Sequence, residues 1–163
     1  MNDRPVQDAY PDDLSHCFGC GRHNELGHQL KSLWDGRQAV ARFTPAPHHI
    51  AIPGYVYGGL IASLVDCHAM ATAAVVLAEA DGADAGHPVR CVTGSLKVDY
   101  LKPTPLGPTL ELRARPREIK PRKVVVEVSV LCEGVECARG EVVAVRMPES
   151  MAVPPAGAPS SRA

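Results

Sequence analysis

The stretch "YGGLIASLVDCHAMATAAVVLAEA", Tyr57 to Ala80, constrains this chain more than any other. It reads as one long helix, apolar on nearly every side, with a carboxylate, Asp66, set in its middle. An ionised group in dry surroundings is costly unless donors hold it, so its presence there needs a reason. Leu60 to Ala78 has the length of a membrane span. Asp66 and His68 near its centre argue against that reading, because ionisable groups are expensive in lipid. The strand patterns that follow argue the same way. A helix apolar all round, outside a membrane, is one that its own protein wraps.

What wraps it is legible in the flanking sequence. Before the helix, "LGHQLKSLWDGRQAVARFTP" places an Asp35-Gly36 turn signal between two short extended runs, a hairpin. "PAPHHIAIPGYV" is broken by proline and reads as loop. After the helix, "CVTGSLKVDYLKP" alternates Val92, Gly94, Leu96, Val98 and Tyr100 against Thr93, Ser95, Lys97, Asp99 and Leu101. "TLELRARP" alternates too. In "RKVVVEVSVLCEG" Val124, Val126, Val128, Val130 and Cys132 share one face, while Glu127, Ser129 and Glu133 take the other. A turn at Glu133-Gly134 leads into "VECARGEVVAVRM". Short turns between consecutive strands predict an antiparallel meander, and ββαββββ is an α+β layout.

With 163 residues the chain suits one domain with a real core. Residues 1–14 are polar and irregular, and the segment from Pro148 is rich in Pro, Ala and Ser. Both read as disordered ends around a folded unit over 15–147. A net charge of −1 with no basic run gives no reason to expect nucleic acid or an anionic membrane as partner. "MNDRPVQDAYPDD" lacks the apolar core of a signal peptide. Six cysteines then read as free thiols, and the expected location is the cytoplasm.

Three segments carry a resemblance. "PGYVYGGLIASLVD" resembles the "PG-x-x-HGG…D" signature of hotdog-fold acyl-CoA thioesterases, in the branch typified by the phenylacetyl-CoA thioesterases of the 4-hydroxybenzoyl-CoA thioesterase superfamily. "TGSLKVDYLKPTPLG" is similar to that branch's next strand and turn. "CFGCGRHNELG" is similar to a "CxxCG…N…G" element of many relatives. The similarity runs over about residues 16–147 and implies a hotdog fold, a long central helix wrapped by a curved antiparallel sheet. It departs from the family at Tyr57, where many relatives have His. Tyr keeps a hydrogen-bonding group but does not titrate near neutrality.

The residues and the resemblance together nominate a site. Gly58 and Gly59 open the helix, where N–H groups without intrahelical partners face the positive end of the dipole. Such groups can stabilise an oxyanion, although a Gly pair also serves a tight turn. Asp66 is the candidate general base or nucleophile, or else a core carboxylate satisfied by hydroxyls such as Ser63. The family's Ser or Thr after the helix falls on Thr93, which alternation alone would read as a surface residue. Tyr57, Gly59 and His68 are candidates for lining the substrate pocket.

Eight residues separate Gly58 from Asp66, about 12 Å of helix rise. An Asp side chain cannot span that, so the two can meet one thioester only if they come from two helices. The resemblance likewise implies a site shared across a homodimer, alone or paired into a dimer of dimers.

"HCFGCGRH" could nominally offer His16, Cys17, Cys20 and His23 to zinc. One short loop rarely folds four ligands onto one ion and no second CxxC exists, so the segment reads as a small packed lid, and neither metal nor cofactor is expected. Cys67 reads as core. Cationic side chains for the phosphates of CoA are available at Arg90, Lys97, Lys102, Arg117, Lys120, Arg122 and Lys123. The expected activity is acyl-CoA hydrolysis. A hotdog dehydratase and a non-enzymatic acyl-CoA-binding module are the alternatives.

Overall fold

The computed structural model describes residues 4–84 and 86–151. Two short strands, β1 (Ser32–Trp34) and β2 (Ala39–Phe43), form the expected hairpin. Helix α1 follows over Gly58–Ala80. Four longer strands complete the order: β3 (Cys91–Tyr100), β4 (Leu110–Lys120), β5 (Lys123–Cys132) and β6 (Val135–Arg146).

The helix forms because its sequence is Ala-rich and free of proline. It ends in a Schellman motif. Gly82 adopts φ +79, its N–H reaches Glu79 O, and Ala83 N–H reaches Ala78 O at 2.9 Å. Arg146 then clamps the helix end to β6 through both oxygens of Asp81, at 2.7 and 2.8 Å. By length and composition α1 could cross a membrane, but 83% of its apolar window is buried in this protein. Leu64, Val65, Val75 and Leu77 are fully enclosed by the sheet. Each such side chain contributes about 1.5–3 kcal/mol relative to exposure.

The six strands form one antiparallel sheet in the order β1-β2-β4-β5-β6-β3. Val124, Val126, Val128, Val130 and Cys132 of β5 face the core as alternation predicts. The β5–β6 turn falls on Glu133 and Gly134, both at positive φ, as a tight hairpin demands.

The meander expectation holds for β4 to β6 and fails for β3. That strand pairs with β6, the last strand, and not with β4. Alternation gives each strand a face but says nothing of its neighbour, and β3 ends the sheet on the side nearest the opening of α1.

The N-terminus also differs from expectation. Residues 4–14 are ordered, with a 3-10 turn at Val6–Ala9 and buried Val6, Gln7 and Tyr10. Gln7 exchanges two hydrogen bonds with Ser32 on β1: its Oε1 accepts from Ser32 N–H at 2.8 Å and its amide donates to Ser32 Oγ at 2.9 Å. The Arg90 guanidinium lies 4.3 Å over the Tyr10 ring. Two apolar anchors and one amide suffice to dock a segment whose average composition is polar. The folded unit therefore begins before residue 15. The expected C-terminal tail lies, from residue 152, outside the described residues.

Candidate active site

One irregularity in β3 positions the site. Cα partners run Thr93 to Ala144 and then Ser95 to Val143, leaving Gly94 as an extra residue. This β-bulge reverses the alternation: Ser95, Lys97 and Asp99 face outward, while Thr93 shares the helix side with Leu96, Val98 and Tyr100. A Cβ at Gly94 would sit 3.0 Å from Val145 Cγ2, so the bulge is built around a residue without one.

Thr93 thereby reaches the helix. Its Oγ1 donates to Asp66 Oδ1 at 2.6 Å. Asp66 is half-buried, and burial pushes its carboxyl above the usual range. The Thr93 hydroxyl pulls it back down, and negative charge at Cys17 pushes it up. Ser63, the alternative partner, makes no such bond to Asp66 among the described residues.

At the other end of the same strand face, Tyr100 donates its hydroxyl to Gly58 O at 2.7 Å. Tyr57 N–H is taken by His49 O at 2.9 Å. The Tyr57 ring, exposed, folds back over Gly59, where a Cβ would meet it at 2.4 Å. The N–H groups of Gly58 and Gly59 belong to the helix's first turn and have no intrahelical acceptors. Beside them opens a cavity of about 610 Å³, walled by Ile52, Tyr55, Ile61 and Tyr100, with Gly58 and Lys102 in its lining. Its size and apolar walls suit a small acyl or aryl ligand. Asp66 and Thr93 are not part of that lining. The chain thus carries a carboxylate centre and a separate backbone-amide centre on the same helix.

Tyr100 was not singled out by sequence. Its place on the alternating face of β3, seven residues from Thr93, is the only signal it gives. His68, a candidate for lining the pocket, is misplaced by sequence. It is fully buried, with Nδ1 2.8 Å from Ser32 Oγ and Nε2 3.1 Å from Ala39 O, and burial drops it to about 4. It is a neutral core histidine with both ring nitrogens satisfied.

The cysteines behave differently again. Cys17, Cys20 and Cys67 bring their sulfurs within 4.8 Å of one another. His16 and His23 instead stack on each other with centroids 5.3 Å apart, and His23 Nε2 lies 3.0 Å from Asp12.

The Thioesterase superfamily profile matches residues 53–138, just over half of the chain. The chain belongs to the thioesterase superfamily. A thioesterase superfamily protein from Shewanella loihica PV-4 is 45% identical, over 85% of this chain and all of that one, with a TM-score of 0.66. The PaaI protein of the E. coli phenylacetic acid degradation operon shares the fold at 17% identity, over 74% of this chain and 81% of PaaI, with a TM-score of 0.62. A curated relative, acyl-coenzyme A thioesterase THEM4 of Xenopus laevis, is 29% identical over 94 residues. That match takes in 58% of this chain and 37% of THEM4, so the chain corresponds to little more than a third of that protein. The one helix against a six-stranded antiparallel sheet is the hotdog fold that the resemblance implied.

Proposed function

We propose that this thioesterase-superfamily chain hydrolyses acyl-CoA thioesters to the free acid and CoA, at a site shared between two protomers. The observation that carries the reading is the half-buried Asp66 carboxylate held by Thr93 at 2.6 Å. With Oδ1 occupied by the Thr93 hydroxyl, Oδ2 is left to take a proton from water, or to attack the carbonyl itself. In the water route, the hydroxide oxygen bonds to the carbonyl carbon and the oxyanion is met by the Gly58 N–H of the partner's helix. The C–S bond then breaks, the electron pair leaves on sulfur, and the CoA thiolate takes up the proton. Tyr100 holds Gly58 O and so fixes the Gly58–Gly59 peptide, the one that follows the peptide presenting this N–H.

The two-protomer arrangement is supported by the separation of Gly58 from Asp66 along one helix. It is supported too by the exposed Tyr57, Leu96, Tyr100 and Leu101 around β3, at the end of the sheet. Lys102 at the cavity mouth is a candidate for the CoA phosphates. A dehydratase would need a reactive histidine, and His68 is sealed in the core. Six free thiols suit a reducing cytoplasm.

The test is thiol release from short, medium, long and aryl acyl-CoAs by wild type and Asp66→Asn. Loss of about 10²-fold or more in kcat for the folded variant is the expected result. Undiminished hydrolysis by folded Asp66→Asn would overturn the assignment. Saturable acyl-CoA binding without release by either protein would make the chain a binding module.

A further inference from the structure

The three-thiol cluster is absorbed by none of this chemistry. Cys17 and Cys20 lie on the loop before β1, and Cys67 on α1, so the thiols come from two parts of the chain. Cys20 and Cys67 are buried and Cys17 is half-buried. Cys17 Sγ stands 3.7 Å from Cys67 Sγ. Thiolates bound at about 2.3 Å to one tetrahedral zinc lie about 3.8 Å apart, so this pair is already at ligand spacing.

The loop is shaped around the sulfurs. A Cβ at Gly19 would fall 2.2 Å from Cys67 Sγ, so only glycine lets the loop sit on that thiol. A Cβ at Gly21 would fall 2.5 Å from Cys17 N and 2.7 Å from Cys17 O. Gly21 N–H closes the turn on Cys17 O at 2.7 Å. A lid packed only for bulk would require neither these glycines nor a third thiol on the helix.

We propose that Cys17, Cys20 and Cys67 bind one zinc ion, as three thiolate ligands of a four-coordinate centre with solvent in the fourth position. Soft sulfur donors favour zinc over magnesium or calcium, and binding releases the thiol protons to solvent. The ion would rivet the N-terminal loop to α1 one residue beyond Asp66. This proposal departs from the sequence expectation of no metal: the third ligand is Cys67 of the helix, and neither histidine of "HCFGCGRH" takes part. It does not depend on the hydrolytic reading, since zinc uptake is measured without turnover.

The experiment uses the full chain, purified reduced and stripped with a chelator. Elemental analysis after zinc addition should give about one zinc per chain, and cobalt(II) should produce thiolate-to-metal charge-transfer absorption. Cys17→Ser, Cys20→Ser and Cys67→Ser should each weaken uptake by at least about tenfold, whereas Cys137→Ser, on β6, should match wild type. Should Cys67→Ser fail to fold, the loop double variant Cys17→Ser/Cys20→Ser serves in its place, with circular dichroism to verify the fold. Folded, reduced wild type that takes up no zinc would overturn the proposal. So would charge-transfer absorption that persists in the loop double variant. Fewer than six titratable thiols in the unfolded chain after aerobic purification, with no metal retained, would replace the site with a disulfide.

Discussion

At Asp66, burial raises the carboxyl and the Thr93 hydrogen bond lowers it. Either as base or as nucleophile the group must be ionised, so activity falls as pH drops through its pKa. Thr93→Val removes the lowering influence and leaves the raising one. The acidic limb of the kcat/KM profile should therefore move to higher pH, with a lower plateau above it. A limb that stays in place or moves to lower pH would mean that the hydroxyl does not act on the carboxylate. These two residues were unequally legible in the sequence. Asp66 stands out because nothing else in mid-helix is acidic. Thr93 was reached through the family resemblance alone, since simple alternation points it outward and the Gly94 bulge is what turns it in. His68 was misjudged because a helix apolar on every side gives no hint of which face meets the sheet. The convergence of Cys67 with Cys17 is a contact between segments 50 residues apart, invisible to any local pattern.

Sheet and helix approach closely at Gly140 on β6. It pairs with Val98 of β3 and Val128 of β5, and a Cβ there would lie 2.3 Å from Val65 Cγ1 on α1. Gly140→Ala should destabilise the protein by about 1–3 kcal/mol through overpacking. Val65→Ala alone should also cost stability, by opening a cavity. The two together should cost less than their sum, because each relieves the other, and chemical denaturation of the four proteins measures that coupling. Additive costs would mean that α1 shifts as a body instead. Elements of this kind were read well where period and turn chemistry agreed, as for β5 and its Glu133-Gly134 turn. The pairing of β3 was misread, because adjacency in a sheet is decided by how the whole sheet closes over α1 and not by turn length.

The complete molecule supplies the test of sharing. Gly58→Pro removes the proposed oxyanion donor at the first helical position, where proline is tolerated, and Tyr57 already has the extended ψ of 127 that precedes proline. Asp66→Asn removes the carboxylate. Each variant alone should be inactive. Co-refolded, mixed dimers would hold one site with both defects and one with neither, restoring about half of the activity per dimer. Absence of any recovery, with mixed dimers shown to form, would place the whole site within one protomer. The sheet order carries a further meaning, in time. β3 leaves the ribosome soon after α1, but its partner β6 follows only after β4 and β5 have been made. Until then the strand that bears Thr93 and Tyr100 has no neighbour on either side, and α1 has no finished wall. The centre on which the proposed chemistry depends is thus assembled only once β6 has emerged, and a chain interrupted before that would present an unpaired, apolar-faced strand for aggregation or for chaperones to hold.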